Sequence, residues 1–161
     1  MEFNHFDTRG NAVMVDVSAK QATMRTAVAE ASVKLSLEVL RAIGKVGGIA
    51  KGDVLGVARI AGIMGAKKTP ELIPLSHPLS IHSVSVDFEV DEVSNTIIIL
   101  CTVRAYERTG VEMEAMTGAS VAALAIYDMC KGKDKAICIS GIRLLYKEGG
   151  KSGVYRREEK E

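Results

Sequence analysis

The chain has 161 residues, of which 47% are apolar and 25% are charged, and its net charge is +1. This balance predicts one soluble domain over residues 1–161 and implies no large polyanionic partner such as nucleic acid. The N-terminus lacks a secretion signal, and no apolar run approaches the roughly 20 residues that cross a membrane. The three cysteines form no Cys-x-x-Cys pair, which favours buried free thiols and a reducing, cytoplasmic location.

The first 68 residues are predicted to form two strands and two helices. A strand begins at residues 13–17. Residues 23–35 are rich in alanine, which favours a helix, but their small and apolar side chains recur at every second position, so we predict a second strand. Ser36 is expected to cap a helix that ends at Gly47 and Gly48. Asp53 is expected to cap a second helix, whose three glycines predict close packing against a neighbouring element.

The rest of the chain alternates loops, strands and one long helix. A proline-bracketed loop at 72–80 is followed by strands at 81–90 and 96–106, a helix ending near Lys131, and a last strand at 136–148. The order β-β-α-α-β-β-α-β predicts an α+β fold with helices on one face of a mostly antiparallel sheet. A ferredoxin-like arrangement is its expected form. Residues 1–12 and 154–161 are predicted to be flexible termini.

The C-terminal sequence KEGGKSG, residues 147–153, ends like a phosphate-binding P-loop. A P-loop needs a glycine at position 145, where this chain has Leu145, and a helix after the motif, for which too few residues remain. The P-loop interpretation therefore fails. A glycine loop that presents Lys147 and Lys151 to an anion and an ordinary solvated tail are both consistent with the sequence.

His77 is the histidine whose position is most restricted, because it lies between Pro74 and Pro78. A rigid loop that presents an imidazole suits ligand contact or proton transfer. The alternative is a loop histidine bonded to the backbone. Lys51 precedes a predicted helix, where an ammonium group is locally unfavourable unless an anion binds there.

Charged residues mark both ends of the long helix. Glu112 and Glu114 lie at its start, either as stabilisers of the helix N-terminus or as part of a site. Asp128 and Lys131 lie three residues apart on one face near its end, either as a surface ion pair or as an acid–base carboxylate held beside an ammonium. The helical rise places Glu112 about 24 Å from Asp128. If both ends serve one substrate, the second end must come from a neighbouring subunit.

Four motifs carry a resemblance to a known family: KGDVLGVARIAGIMGAKKT, LIPLSHP, TGVEMEAMTGASVAALAIYDMCK and IRLLYKEGGKSG. In this order they closely resemble the cyclic pyranopterin monophosphate synthase family (MoaC family) of molybdenum cofactor biosynthesis, from about residue 13 to residue 153. The resemblance implies a lyase that converts 3′,8-cyclo-7,8-dihydroguanosine 5′-triphosphate to cyclic pyranopterin monophosphate and releases pyrophosphate. It also implies a ferredoxin-like fold and a hexamer built as a trimer of dimers.

The resemblance further implies roles for individual residues. Asp128 is similar to the family's general acid/base and Lys131 to its catalytic lysine. The implied substrate-binding residues are Lys51, Leu75, Ser76, His77, Glu112, Met113, Glu114 and Lys147. Ser76 stands where relatives often carry Cys. No metal site and no firm cofactor are implied, apart from Mg²⁺ accompanying the triphosphate.

Together with the length of the helix, these roles predict active sites shared across a dimer interface. The expected partners are the small-molecule substrate and further copies of the chain, with no nucleic acid and no membrane. Two other classes are alternatives: a non-catalytic nucleotide-binding module and a structural oligomeric protein. Asp128, Lys131 and His77 argue against the first, because binding alone does not require proton-transfer groups.

Overall fold

The computed structural model of the protein describes residues 5–43 and 53–158. Its strands are β1 Thr23–Lys34, β2 Ile81–Asp91, β3 Thr96–Glu107, β4 Cys138–Glu148 and β5 Tyr155–Arg156, and its helices are α1 Leu37–Ile43, α2 Val54–Lys67, α3 Thr69–Leu72 and α4 Glu112–Cys130. The strands form one antiparallel sheet in the order β2-β3-β1-β4-β5. The predicted α+β class is confirmed, whereas the ferredoxin-like arrangement stays a prediction.

Strand β1 lies in the middle of the sheet and confirms the prediction made from its period-two pattern. It pairs with β3 along one edge and with β4 along the other. Ala27, Ala29, Ala31 and Val33 are completely buried on one face, against which α4 packs. Small side chains on that face let a helix approach closely. The alternation therefore predicts the structure better than the helical propensity of alanine does.

Helices α2 and α4 cross at a contact made by glycines. A side chain at Gly62 would lie 2.9 Å from the carbonyl oxygen of Gly118, and one at Gly65 would lie 2.7 Å from Val121. On α4, a side chain at Gly118 would lie 2.6 Å from Cys101 Sγ in the sheet below. The close packing predicted from the glycines of the second helix is confirmed, and it holds α4 tightly between α2 and the sheet.

The predicted helix starts agree with the hydrogen bonds. The carboxylate of Asp53 accepts a hydrogen bond from the amide of Gly56 at 2.8 Å, as expected of an N-cap. At α1, the amide of Leu40 donates to the carbonyl oxygen of Ser36 at 3.0 Å. The predicted end of that helix at Gly47 and Gly48 lies outside the described residues. So does Lys51.

The strand predicted at residues 13–17 is wrong. This segment precedes β1 as extended chain, and the only β-bridge that the described residues form before β1 joins Phe6 to Ala12. Its side chains alternate between half-buried and exposed, which explains the period-two pattern. Extended chain lying across a surface produces the same alternation as a strand does, without a partner on which to form a ladder.

Lys147 does not lie in a glycine loop, as the C-terminal motif had suggested. It belongs to β4 and stands opposite Ala27 of β1. The turn begins only at Gly149 and Gly150, whose φ angles are +103° and +72°. A side chain at Gly150 would overlap the guanidinium group of Arg25. Gly149 and Gly150 of this motif therefore serve the turn and its packing over Arg25.

The cysteines agree with the sequence-based expectation of free thiols. Cys101 and Cys130 are buried and Cys138 is exposed, and all three are unbridged. Burial raises the pKa of the Cys101 thiol to about 12, which makes it unreactive. None of the helices within the described ranges combines the length and the apolar character needed to cross a membrane.

Candidate active site

A cleft of about 820 Å³ opens beside the N-terminal end of α4. Its walls come from the loop between α3 and β2, the start of α4, and the extended segment that precedes β1. Residues predicted from separate motifs meet here: Leu75, Ser76 and His77 from the loop, and Glu112, Met113 and Glu114 from the helix. The fold therefore brings two of the predicted groups together in one chain.

Glu114 is the unusual side chain of this cleft. It is only 2% exposed, and its Oε1 atom has no hydrogen-bond partner among the described residues. Burial, with a smaller contribution from the charge of Glu112, raises the pKa of Glu114 from 4.5 to about 7. A carboxyl group with this pKa exchanges a proton readily at neutral pH, which is what general acid–base chemistry requires.

The burial of Glu114 follows from its place in the helical repeat. Val111 and Gly118, three positions before it and four after it, are buried on the same face of the helix. The side chain therefore points toward the core rather than into solvent. Sequence reasoning placed Glu114 in a binding segment but did not identify it as a titrating group. The apolar residues at helical spacing on either side were the signal that could have done so.

Glu112 forms an ion pair with Lys147 that ties α4 to β4. Lys147 Nζ lies 2.7 Å from Glu112 Oε1, and both side chains are about one-quarter to one-third exposed (26% for Glu112 and 30% for Lys147). The strand fixes the backbone position of Lys147, so its ammonium group is held beside the cleft. Strand β4, the third segment predicted to contribute to the site, is thus tied to the cleft by the contact between Lys147 and Glu112. The spacing of these two residues along the sequence could not reveal this contact.

His77 is bonded to the backbone of the extended N-terminal segment. Its Nε2 atom lies 2.8 Å from the carbonyl oxygen of Val15. Because a carbonyl oxygen only accepts, Nε2 carries the proton. The alternative of a backbone-bonded loop histidine is therefore what the structure contains. Arg108 Nη1 also holds the segment, by donating to the carbonyl oxygen of Ser18 at 2.9 Å.

The N-terminal segment was missed as part of this cleft, because it was predicted to be a strand. Val15, Val17 and Lys20 line one wall, opposite the start of α4. Valines at every second position were the available signal, but they indicate only an extended chain with one covered face. The tertiary structure alone determines what covers that face.

Asp128 and Lys131 lie at the opposite end of α4. Lys131 Nζ is 2.6 Å from Asp128 Oδ1, and the side chains are 53% and 64% exposed, respectively. The hydrogen bond to Asp128 raises the pKa of Lys131. The helix is continuous from Glu112 to Cys130, so this pair stands about 24 Å from Glu112 along the axis. Within one chain, the predicted residues that the structure describes form two groups rather than one site.

Two other basic side chains, Arg25 and Lys68, already have partners within the chain. Arg25 is buried, and it donates to the carbonyl oxygens of Glu107 at 3.1 Å and Arg108 at 3.2 Å. Lys68 pairs with Glu71 at 3.1 Å. As for metals, no group of three or more His, Cys, Asp or Glu side chains that could hold an ion occurs within residues 5–43 and 53–158.

Comparison of this chain with known proteins identifies its family. The MoaC family model matches residues 14–150. This chain belongs to the MoaC family. A relative from Pelobacter propionicus is 76% identical over 159 residues, 99% of each chain. A relative from Trichlorobacter lovleyi is 70% identical over 99% of each chain. A relative from Clostridium perfringens is 55% identical over 96% of this chain and 97% of its own. All three are named cyclic pyranopterin monophosphate synthase.

Membership in the MoaC family confirms the resemblance that the four sequence motifs carry. The match extends across both ends of α4, the loop that holds His77 and the strand that holds Lys147. The residues that line the cleft, apart from His5, and the exposed Asp128–Lys131 pair lie within it. The two groups of predicted residues are thus both part of the family's shared domain.

Proposed function

We propose that this MoaC family member converts 3′,8-cyclo-7,8-dihydroguanosine 5′-triphosphate to cyclic pyranopterin monophosphate with release of pyrophosphate, in molybdenum cofactor biosynthesis. Its relatives carry the name of that synthase. The observation that supports the proposal most is the buried Glu114 carboxyl beside the cleft, with a pKa of about 7. Rebuilding a guanine-derived ring requires proton transfers at neutral pH, and such a carboxyl can supply them.

The remaining residues of the cleft suit a ring system with an anionic tail. Leu75 and Met113 offer apolar contact to the ring, and Ser76 offers a hydroxyl group. Lys147 stands at the edge, where its ammonium group can meet a phosphate. Lys51, outside the described residues, keeps the phosphate-binding role that the family resemblance implies. Mg²⁺ enters this proposal only as a companion of the triphosphate.

Asp128 and Lys131 complete the proposed site from a second copy of the chain. In one chain they are exposed and stand a whole helix away from the cleft. An exposed carboxylate–ammonium pair becomes effective in proton transfer and charge stabilisation when a second surface removes it from water. We therefore propose that the active site forms across a dimer interface, within a hexamer built as a trimer of dimers and located in the cytoplasm.

The direct test supplies the proposed substrate to the purified protein. Incubation with the cyclised dihydro-GTP should release pyrophosphate and yield a pterin that fluoresces after oxidation. GTP serves as the matched control and should give neither product. Tight binding without turnover would favour the nucleotide-binding alternative, and neither binding nor turnover would favour a structural protein.

The shared site has its own test, in which two inactive variants are combined. Asp128→Ala and Glu114→Ala should each lose turnover, by about 100-fold or more, because each removes a proton-transfer group. Mixed oligomers should regain part of the activity, since some interfaces then pair an intact α4 start with an intact α4 end. If verified mixed oligomers regain nothing, the interface proposal is wrong, while the assignment of the activity still stands.

A further inference from the structure

Gly110 lies on the wall of the cleft, two residues before Glu112. A β-carbon at this position would overlap the carboxylate of Glu112, with the closest approach to Oε2. The backbone of Gly110 does not adopt the left-handed conformation that requires glycine. Its missing side chain therefore provides space, and the group that fills this space is the carboxylate that pairs with Lys147.

We propose that Gly110 is a positioning residue of the active site: its lack of a side chain lets the Glu112 carboxylate lie between position 110 and Lys147, and so fixes the ammonium group of Lys147 beside the cleft. Oε1 of Glu112 contacts Lys147 at 2.7 Å, whereas Oε2 faces Gly110. The carboxylate thus lies between the loop before α4 and Lys147 of β4. Gly110 acts on the cleft only through Glu112.

Gly110 differs in this respect from the packing glycines of α2 and α4. A methyl group at Gly62 or Gly118 would press on a backbone carbonyl or a buried sulfur, neither of which can move freely. A methyl group at Gly110 meets the end of a flexible side chain. Gly110→Ala should therefore leave the fold intact and push the Glu112 carboxylate away from Lys147. Displacements of about 1 Å in a catalytic site cost on the order of 100-fold in rate.

The first experiment measures the ion pair itself and requires no activity. The ¹⁵N-bound protons of the Lys147 ammonium group should be visible by NMR at low temperature in the native protein, because the ion pair slows their exchange with water. The signal is assigned by its loss in Lys147→Arg. It should disappear in Gly110→Ala and also in Glu112→Ala, which removes the carboxylate itself. An unchanged signal in Gly110→Ala would overturn the proposal.

Gly56→Ala is the matched control. It also places a methyl group against a carboxylate, that of Asp53, which caps α2 and does not line this cleft. This variant should keep the Lys147 signal. Loss of the signal in Gly56→Ala would mean that the signal reports general destabilisation, and the proposal would lose its support.

The second experiment uses turnover, and it rests on the proposed function. Gly110→Ala should lower kcat/KM by about the same factor as Glu112→Ala, and the double variant should be no slower than Glu112→Ala alone. Without the carboxylate, the methyl group has nothing to displace. A further loss in the double variant would show that Gly110 acts independently of Glu112. If the native protein has no turnover, the proposed function fails, but the NMR result still decides the role of Gly110.

Discussion

The two ends of α4 carry acidic residues in opposite environments. At the N-terminal end, Glu114 is buried, has an oxygen without a partner among the described residues, and has a raised pKa. At the C-terminal end, Asp128 forms a short ion pair with Lys131 in contact with solvent. Desolvation raises the pKa of Glu114, whereas Asp128 is held in an exposed ion pair with a neighbouring charge.

This difference shows which end has a carboxyl group that titrates near neutral pH in a single chain. Glu114 already has the pKa of a general acid–base group without a substrate or a partner subunit. Asp128 lies in water, where its pairing with Lys131 has little effect on stability. Under the proposed function, the two ends of α4 act together when a second subunit brings its own α4 start to the exposed Asp128–Lys131 pair. Assembly is therefore expected to matter most at the C-terminal end of α4.

The largest expected effect comes from Glu114→Gln, which removes the buried titrating group. The folded chain holds the proton of Glu114 to a higher pH than the unfolded chain does, so its contribution to the free energy of unfolding is greatest below pH 4.5 and falls as pH rises toward 7. The total change is about 3 kcal/mol. Glu114→Gln should abolish this fall and be more stable than the native protein at pH 8.

Urea unfolding between pH 4 and pH 8, at fixed protein concentration, measures this effect. Asp128→Asn is the control and should keep the native slope, because it changes an exposed ion pair at the other end of α4 and leaves Glu114 untouched. If the stability of Glu114→Gln still falls between pH 4 and pH 8, another group titrates in this interval. The difference that we infer between the two ends of α4 would then be wrong.

The middle of α4 provides the next effect, because tight packing there fixes the position of both ends. Gly118→Ala places a methyl group against Cys101 Sγ in the core and should cost about 1–3 kcal/mol. Gly132→Ala, just beyond the helix, meets nothing within 4 Å and should be neutral. Thermal unfolding of both variants tests this. Equal stability would mean that α4 has room to shift.

Asp134, just beyond the C-terminal end of α4, should show the opposite pH dependence to Glu114. Its carboxylate accepts hydrogen bonds from the amides of Ser36 at 2.7 Å and Ala136 at 2.8 Å, and these bonds lower its pKa. Its stabilisation is therefore present above pH 3.8 and lost as pH falls through the lower folded-state pKa. Asp134→Asn should weaken this acid-induced loss in urea unfolding below pH 4. If Asp134→Asn loses stability below pH 4 as steeply as the native protein does, Asp134 is not the group responsible.

The smallest effect on stability is expected for Asp128→Asn, which breaks the exposed pair. Its Tm should change by no more than about 2 °C, and the change should shrink in 1 M salt, which screens exposed charges. Turnover should nevertheless be lost. A large, salt-independent fall in Tm would mean that the proposed dimer interface removes the pair from water even before substrate binds.

The periodic elements of this fold were predictable from the sequence. The burial of Ala27, Ala29 and Ala31 follows from alternation, and the cap at Asp53 follows from local hydrogen-bonding chemistry. The segment at 13–17 was not predictable, because an extended chain without a partner has the same pattern as a strand. The position of Lys147 was misjudged, because glycines that follow a strand resemble a loop that includes its last residues.

The candidate site was predicted as a set of residues, but its arrangement was not. Motifs in the sequence identified the loop around His77, the start of α4 and Lys147, because residue types and their order along the chain are sufficient for that. The contacts of Glu112 with Lys147 and of His77 with Val15, and the burial of Glu114, depend on segments that are distant in sequence. Only the tertiary structure determines them, because desolvation and ion pairing depend on distances in space.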